Sequence, residues 1–383
     1  MVEHVGVTDE LIGIRHYLHQ HPERSFKEVE TSAYLARLLR GHGIDVLDTT
    51  LETGVVALIE GEVPGPRIAL RADIDGLPIT EDTGLPFSSL NPGVMHGCGH
   101  DLHMTGLLGA AFWLADHRDR IAGSVKIVFQ PAEEVGLGAR TVVESGATDD
   151  VKAIIGTHNN PNYAPGQIAI GPQPMMAGCV KFKVTLHAQG THAGYPQKGT
   201  GPHRGARLDD PRPADHREPQ HLAVPRRGAV HHRSAWRARV ERRARRSGIP
   251  GHRALLRPGR RTAGPPAFRG GGRAHGRSVR DRGRRGLGLH PGAAGRRRGA
   301  VRGGRGRRAL LRGAQADTSS MAGEDFVEFS GCGARLVFAF IGSNGEPGCA
   351  DWHSPHFVGV DGAIGPAVDF YVNASLRVLA ELR

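Results

Sequence analysis

Between residues 201 and 315 the chain shows neither helical nor strand periodicity, and this block limits what the rest can build. It holds 32 of the 50 basic residues, all arginine, against 6 of the 38 acids. The block therefore carries a surplus of 26 positive charges, while the remainder carries 14 more acids than bases. Runs such as RRARR (242–246) and GRRRGAVRGGRGRR (295–308) have almost no large apolar side chains. By composition they cannot bury enough apolar surface to offset the ordering entropy of a fold. Any hydrophobic core must come from residues 1–200 and 316–383. A net charge of +12 and a pI near 10.2 would ordinarily point to nucleic acid or an anionic surface, but these whole-chain values describe neither part.

Three readings of the block are open: a disordered basic tract, an RGG-type RNA binder, or a GC-rich gene read out of frame. The genetic code favours the third. Synonymous codons for residues 240–259, read one base later, spell SNVVPDGPAFRGTVRSFDP. The same shift permits RALQTIVSRNISPF across 211–225 and DPIV across 201–205. Codon degeneracy makes each string a permitted reading, and all three windows give helix-like or strand-like text in one frame; the expectation is a shift that begins near 201 and returns within 305–316.

Elsewhere the chain reads as an ordinary folded protein. No stretch approaches the ~18–20 apolar residues of a membrane span, and MVEHVGVTDE lacks the basic start and apolar run of a signal peptide. The expectation is a soluble cytoplasmic protein. Four cysteines in 383 residues make no disulfide framework, which fits a reducing compartment.

Residues 9–43 carry apolar positions at helical spacing, interrupted by His21-Pro22 and ended by Gly41 and Gly43. Short β-rich runs follow: VVALIE (55–60), RIALRA (67–72), SVKIVF (124–129) and VKAIIG (151–156). Strands alternating with helices such as 104–115 predict an α/β fold with a mostly parallel sheet. VKFKVTLHA (180–188) alternates apolar and polar residues, as a strand with one wet face does in a second, antiparallel α+β domain.

The chemistry gathers in MHGCGHDLH (95–103). In an extended segment Cys98 and His100 point to the same side and reach one metal or a metal pair, while Asp101 and His103 begin a helix that Asp101 can cap. In FQPAEE (129–134) a proline turn after a strand places Glu133 and Glu134 side by side. Adjacent carboxylates repel unless a cation or proton divides their roles, so one suits a metal ligand and the other a general base. His158 lies just beyond VKAIIG, where sites in open α/β sheets gather. His192 in GTHAGYP and His353 and His356 in DWHSPHF are further candidates, although each alone reads equally well as structural.

LRADIDGLPI (70–79), MHGCGHD (95–101), FQPAEE (129–134), THNNP (157–161), HAGYP (192–196), SMAGEDF (320–326) and WHSPHF (352–357) occur in an order and spacing that resembles a known family. It is the hippurate hydrolase-like, N-acyl-amino-acid amidohydrolase branch of the dinuclear metallopeptidases, related to carboxypeptidase G and aminoacylase. The resemblance covers about 10–200 and 316–383. It implies a catalytic α/β domain with helices on both faces of the sheet, formed by 1–178 and 316–383. It also implies an α+β lid and dimerisation domain that begins at 179–200 and is scrambled across 201–315. By the same resemblance Cys98, His100, Glu134, His158 and His353 would bind two divalent ions, Glu133 would be the general base, and His192 would stabilise the oxyanion. Thiolate, imidazole and carboxylate ligands suit Zn, Mn, Co or Ni better than Mg or Ca. The implied substrate is a small N-acyl amino acid such as hippurate, with no nucleic-acid or membrane partner, and a family-type homodimer is in doubt because the lid is disrupted. The competing readings are an inactive metal-binding remnant and a basic nucleic-acid binder using 201–315.

Overall fold

The structure, a computed structural model, describes residues 5–171, 173–187, 230–231, 246–255 and 319–383. The chain divides into two units, Met1–Met176 with Arg298–Arg383, and Ala177–Arg297.

In the first unit, α1 (Asp9–Gln20) starts at Thr8, whose hydroxyl accepts from Leu11 N–H, with Asp9 and Glu10 complementing the helix dipole. Pro22 then removes a backbone donor, and α2 (Val29–Gly41) buries Leu35 and Leu39. The strands are β1 (Asp45–Val46), β2 (Val55–Glu60), β3 (Val63–Asp73), β4 (Ala122–Gln130), β5 (Ala153–Asn160), β6 (Ile168–Ala169) and, from the far end of the chain, β10 (Arg335–Gly342). They form one sheet in the order β1-β2-β4-β3-β5-β10-β6. The four strands β4, β3, β5 and β10 run parallel, with β10 beside β5 in the register Arg335↔Ala153 to Gly342↔Asn160. The mostly parallel sheet expected from the sequence is this centre. Its edges are antiparallel at β1, β2 and β6, so the whole sheet is mixed.

Helices cover both faces. The larger core joins the sheet to α1, α2, α3 (His100–Asp116) and α5 (Ile364–Leu382). The second core lies under α4 (Gly138–Glu144) and the 3-10 helix Asp325–Cys332. Helix α3 is buried on nearly every side, and it meets α5 closely through glycine. A Cβ on Gly106 would lie 2.7 Å from the Ala367 Cβ, and one on Gly109 would lie 2.6 Å from Val368 Cγ2.

In the second unit, β7 (Gly178–His187) pairs antiparallel with β9 (Arg246–Leu255), which pairs antiparallel with β8 (Val230–His231). The sequence shows no strand pattern at 230–231 or 246–255. Backbone N–H and C=O groups can pair without apolar alternation, which is why periodicity did not reveal them. The remainder of the 201–315 block, and with it the expectation of disorder there, lies outside the described residues. Among the described residues no helix is long and apolar enough to cross a membrane.

Asp101 does not cap α3, as the sequence had suggested. The N-cap is Gly99, and Asp101, buried in the first turn, accepts from Arg15 Nε at 3.0 Å and lies 3.0 Å from His19 Nδ1. Arg15 also reaches Asp361 and the Gly359 carbonyl, so this buried cluster ties α1 to α3 and to the start of the C-terminal helix. His19 Nε2 lies 3.2 Å from Glu81. Burial works against a charged His19, but Asp101 and Glu81 outweigh it and raise its pKa from 6.5 to about 9. A pKa raised on folding contributes stability that is complete below pH 6.5 and is lost as pH rises through 9. Unfolding free energy is therefore expected to fall by roughly 3 kcal/mol across that window. Urea titrations of wild type and His19→Gln test this, and equal pH slopes would refute it.

Candidate metal centre

The carboxyl ends of β3, β4, β5 and β10 converge, and the candidate residues stand there. Cys98 and His100 do meet, though through a turn and not an extended segment. Gly99 takes a left-handed φ of +80°, which folds the chain so that His100 opens α3 beside Cys98. Cys98 Sγ lies 3.4 Å from His158 Nε2 on β5, and the His158 Nδ1–H donates to the Asn159 carbonyl at 2.8 Å, leaving Nε2 free to bind a cation. His100 is fixed in the same way, its Nδ1 donating to the Asp75 carbonyl at 2.8 Å. Its Nε2 faces Asp73 Oδ2 at 3.7 Å and Glu134 Oε1 at 3.8 Å.

Glu133 and Glu134 follow β4 in a one-turn 3-10 helix entered through Ala132, a non-glycine residue at φ +56°. Their backbone N–H groups both donate to the Asp75 carboxylate, at 3.0 and 3.1 Å. His353, at φ +63°, comes from the C-terminal loop and brings Nε2 to 3.3 Å from Glu134 Oε2. Two side chains held in left-handed backbone beside one cluster are a costly arrangement that surrounding contacts must enforce.

The electrostatics fit a cation. Burial opposes a charge on His100, yet Asp73, Asp75 and Glu134 push its pKa up to about 10. Burial, then Glu134, Glu133, Asp73 and Glu324, hold the Cys98 thiol well above its usual pKa. Burial and the neighbouring Glu324, Glu134 and Asp325 raise Glu133 well above the carboxylate range. His100 Nε2 and Glu134 Oε1 are buried and hydrogen-bonded to nothing among the described residues. Orphaned polar atoms of this kind are expensive unless an ion satisfies them. Cys98, His100 and His158 form one group able to hold a metal ion, Cys98, Glu134 and His353 another, and His100, Glu133 and Glu134 a third.

Five candidate ligands, Cys98, His100, Glu134, His158 and His353, thus come together with Glu133. His192 lies outside the described residues. His356 stands apart, exposed, with its Nδ1 donating to the Asp82 carbonyl.

The sequence reading missed Arg71, Asp73, Asp75 and their partners. Arg71 is buried and binds Asp73, Glu324 and Asp325 at 2.9, 3.0 and 3.3 Å, with Gln130 on its Nε. Asp73 holds His103 Nδ1 at 2.6 Å, and His103 Nε2 accepts from Asn159 N–H at 2.8 Å, so both His103 nitrogens are committed. The available signal was the alternation of Arg71, Asp73 and Asp75, which puts three charges on one face of an otherwise apolar strand end.

Residues 69–281 match Peptidase family M20/M25/M40. The chain is 50% identical over 197 residues to an N-acetyl-L-cysteine deacetylase of Bacillus subtilis, covering 51% of this chain and 47% of that protein. It is 40% identical over 193 residues to an N-acyl-L-amino acid amidohydrolase of Geobacillus stearothermophilus, covering 50% and 52%. The chain spans about half the length of the curated relatives it matches. A crystal structure of a dinuclear metal-binding M20 peptidase from Bacillus subtilis is similar with a TM-score of 0.65 and 28% identity, covering 98% of each chain. An M20 metallo-carboxypeptidase from Sulfolobus solfataricus shares the fold at a TM-score of 0.60 and 14% identity, covering 98% of this chain and all of the other.

Proposed function

Because this chain belongs to peptidase family M20/M25/M40, we propose that it hydrolyses the amide bond of N-acyl amino acids, with two divalent cations at the cluster just described. The pair His100 Nε2 and Glu134 Oε1 carries this reading, since two buried polar atoms 3.8 Å apart, with no hydrogen-bond partner among the described residues, suit a shared cation. Cys98, His100, Glu134, His158 and His353 would hold the ions, and their thiolate, imidazole and carboxylate donors suit Zn, Mn, Co or Ni. When bound, such ions lower the pKa of a water, orient the amide carbonyl and offset the charge that develops on it.

The chain's own groups supply the rest. Glu133, buried and raised in pKa by its carboxylate neighbours, takes the proton of the attacking water and passes it to the leaving nitrogen. Asp75 holds both Glu133 and Glu134 by their backbone, which keeps base and ligand side by side. His192 is assigned as the oxyanion donor from the second domain. The relatives' names point to small N-acyl substrates, and hippurate is an aromatic member of that class. The reading includes no nucleic-acid or membrane partner and a cytoplasmic location.

We further propose that 201–315 is off-frame, which favours a second reading: a remnant that binds metal without turnover. Metal content and turnover separate the two. Elemental analysis of purified protein is expected to find close to two divalent ions per chain and fewer in Cys98→Ala. Equal content in the two proteins would count against the site. Amine release from N-acetylcysteine and from hippurate then reports activity and acyl preference.

A further inference from the structure

The end of β5 holds a residue with no role assigned above. Asn159 is 2% exposed and uses every hydrogen-bonding position of its amide. Its Nδ2 donates to the Cys98 carbonyl and lies 3.0 Å from His103 Nε2. Its Oδ1 accepts from the Ser343 hydroxyl at 2.9 Å and from the Trp352 indole at 3.3 Å. The orientation of the amide is fixed by its partners, because an indole N–H only donates and a carbonyl only accepts. Its backbone takes part as well, with N–H donating to His103 and C=O accepting from His158 Nδ1.

Four segments meet at this side chain: the loop carrying Cys98, helix α3 through His103, the residue after β10, and the loop carrying Trp352 and His353. A further contact, His353 N–H to the Gly97 carbonyl at 2.8 Å, closes the ring between the first and last of them. Trp352 also packs edge-on against His158, with ring centroids 5.0 Å apart. Gly99 is matched to this arrangement, since a Cβ there would lie 2.4 Å from Asn159 Nδ2.

The geometry points to Asn159 as a positioning residue that locks the Cys98 loop to the Trp352–His353 loop, so that ligands from distant parts of the chain are aligned before a cation arrives. This inference rests on the proposed ligand roles of Cys98, His158 and His353. Without the amide, the two loops would keep the Gly97–His353 contact but lose the clamp on the Cys98 carbonyl, which is a few bonds from the sulfur.

The test titrates the metal-free full chain with Co²⁺, well below its melting temperature, and follows the near-ultraviolet thiolate-to-cobalt absorption that reports Cys98 coordination. Asn159→Leu keeps the volume and removes the side-chain hydrogen bonds. Asn159→Asp keeps both acceptor contacts but sets an oxygen against the Cys98 carbonyl. Both are expected to lose roughly 10- to 100-fold in Co²⁺ affinity and to show a weaker thiolate band per cobalt bound. A purely structural asparagine would lower the melting temperature and leave the folded protein's affinity and band unchanged, and that result in either variant overturns the inference. Should neither variant fold, Trp352→Phe removes the indole donor together with part of the ring that packs on His158, and is expected to cost about fivefold in affinity; wild-type affinity there overturns it equally. A wild-type chain lacking the thiolate band would instead refute the ligand reading itself.

Discussion

Glu133→Ala, made in a chain that turns over, is expected to cut amide hydrolysis by about 10²–10⁴-fold while leaving the metal content at its wild-type level. The two glutamates of one short turn are set apart by their surroundings. Glu134 has one oxygen 3.3 Å from His353 and the other orphaned beside His100, so removing it should strip a ligand. Burial first, and then the charges of Glu324, Glu134, Asp325 and Asp73, raise the proton affinity of the Glu133 carboxylate. A general base needs that affinity, and a ligand does not. Parallel measurement of kcat and bound metal checks the distinction, and loss of metal from Glu133→Ala would make Glu133 a ligand instead of a base.

Restoring the reading frame should have an effect of comparable size. Deleting one base near codon 201 and returning one within 305–316 is expected to raise kcat/KM for N-acyl amino acids by about 10²–10³-fold, the contribution of one donor aimed at a developing oxyanion. The proposed ligands all belong to the first unit: Cys98 and His100 at the start of α3, Glu134 after β4, His158 on β5 and His353 in the loop before α5. His192 does not belong to that set. As written, residues 201–315 offer hardly any large apolar groups to build a second domain, whereas the shifted text includes SNVVPDGPAFRGTVRSFDP. Equal kcat/KM for the two chains would show the second domain to be dispensable and the oxyanion assignment to be wrong.

Helices α1 and α2 were legible because burial on one side imposes a helical period, and α3 and strands β2 to β5, buried almost throughout, because they are apolar runs of helix or strand length bounded by turns. The two-residue strands β1 and β6 were not, since no period fits in so short a run. Of the cluster, Cys98, His100, Glu133, Glu134, His158 and His353 were visible as chemically unusual motifs. Asn159 was not, because its significance is a meeting of residues 98, 103, 343 and 352 that exists only after folding. Asp101 shows the opposite error. Its position near a helix start suggested a cap, but a buried guanidinium on α1 competes for the same carboxylate, and that ion pair wins.

The placement of β10 has a consequence for synthesis. On the ribosome, β5 can join β3 at once but emerges some 180 residues before β10, which covers its other edge, and the glycine face of α3 waits longer still for α5. Until then the nascent chain presents a bare parallel edge and an uncovered apolar helix, the surfaces on which chaperones act and aggregates begin. A message that met a stop codon anywhere before codon 335 would release that half-made sheet. Translation through to the last helix is therefore needed before the first unit can close its sheet and cover α3.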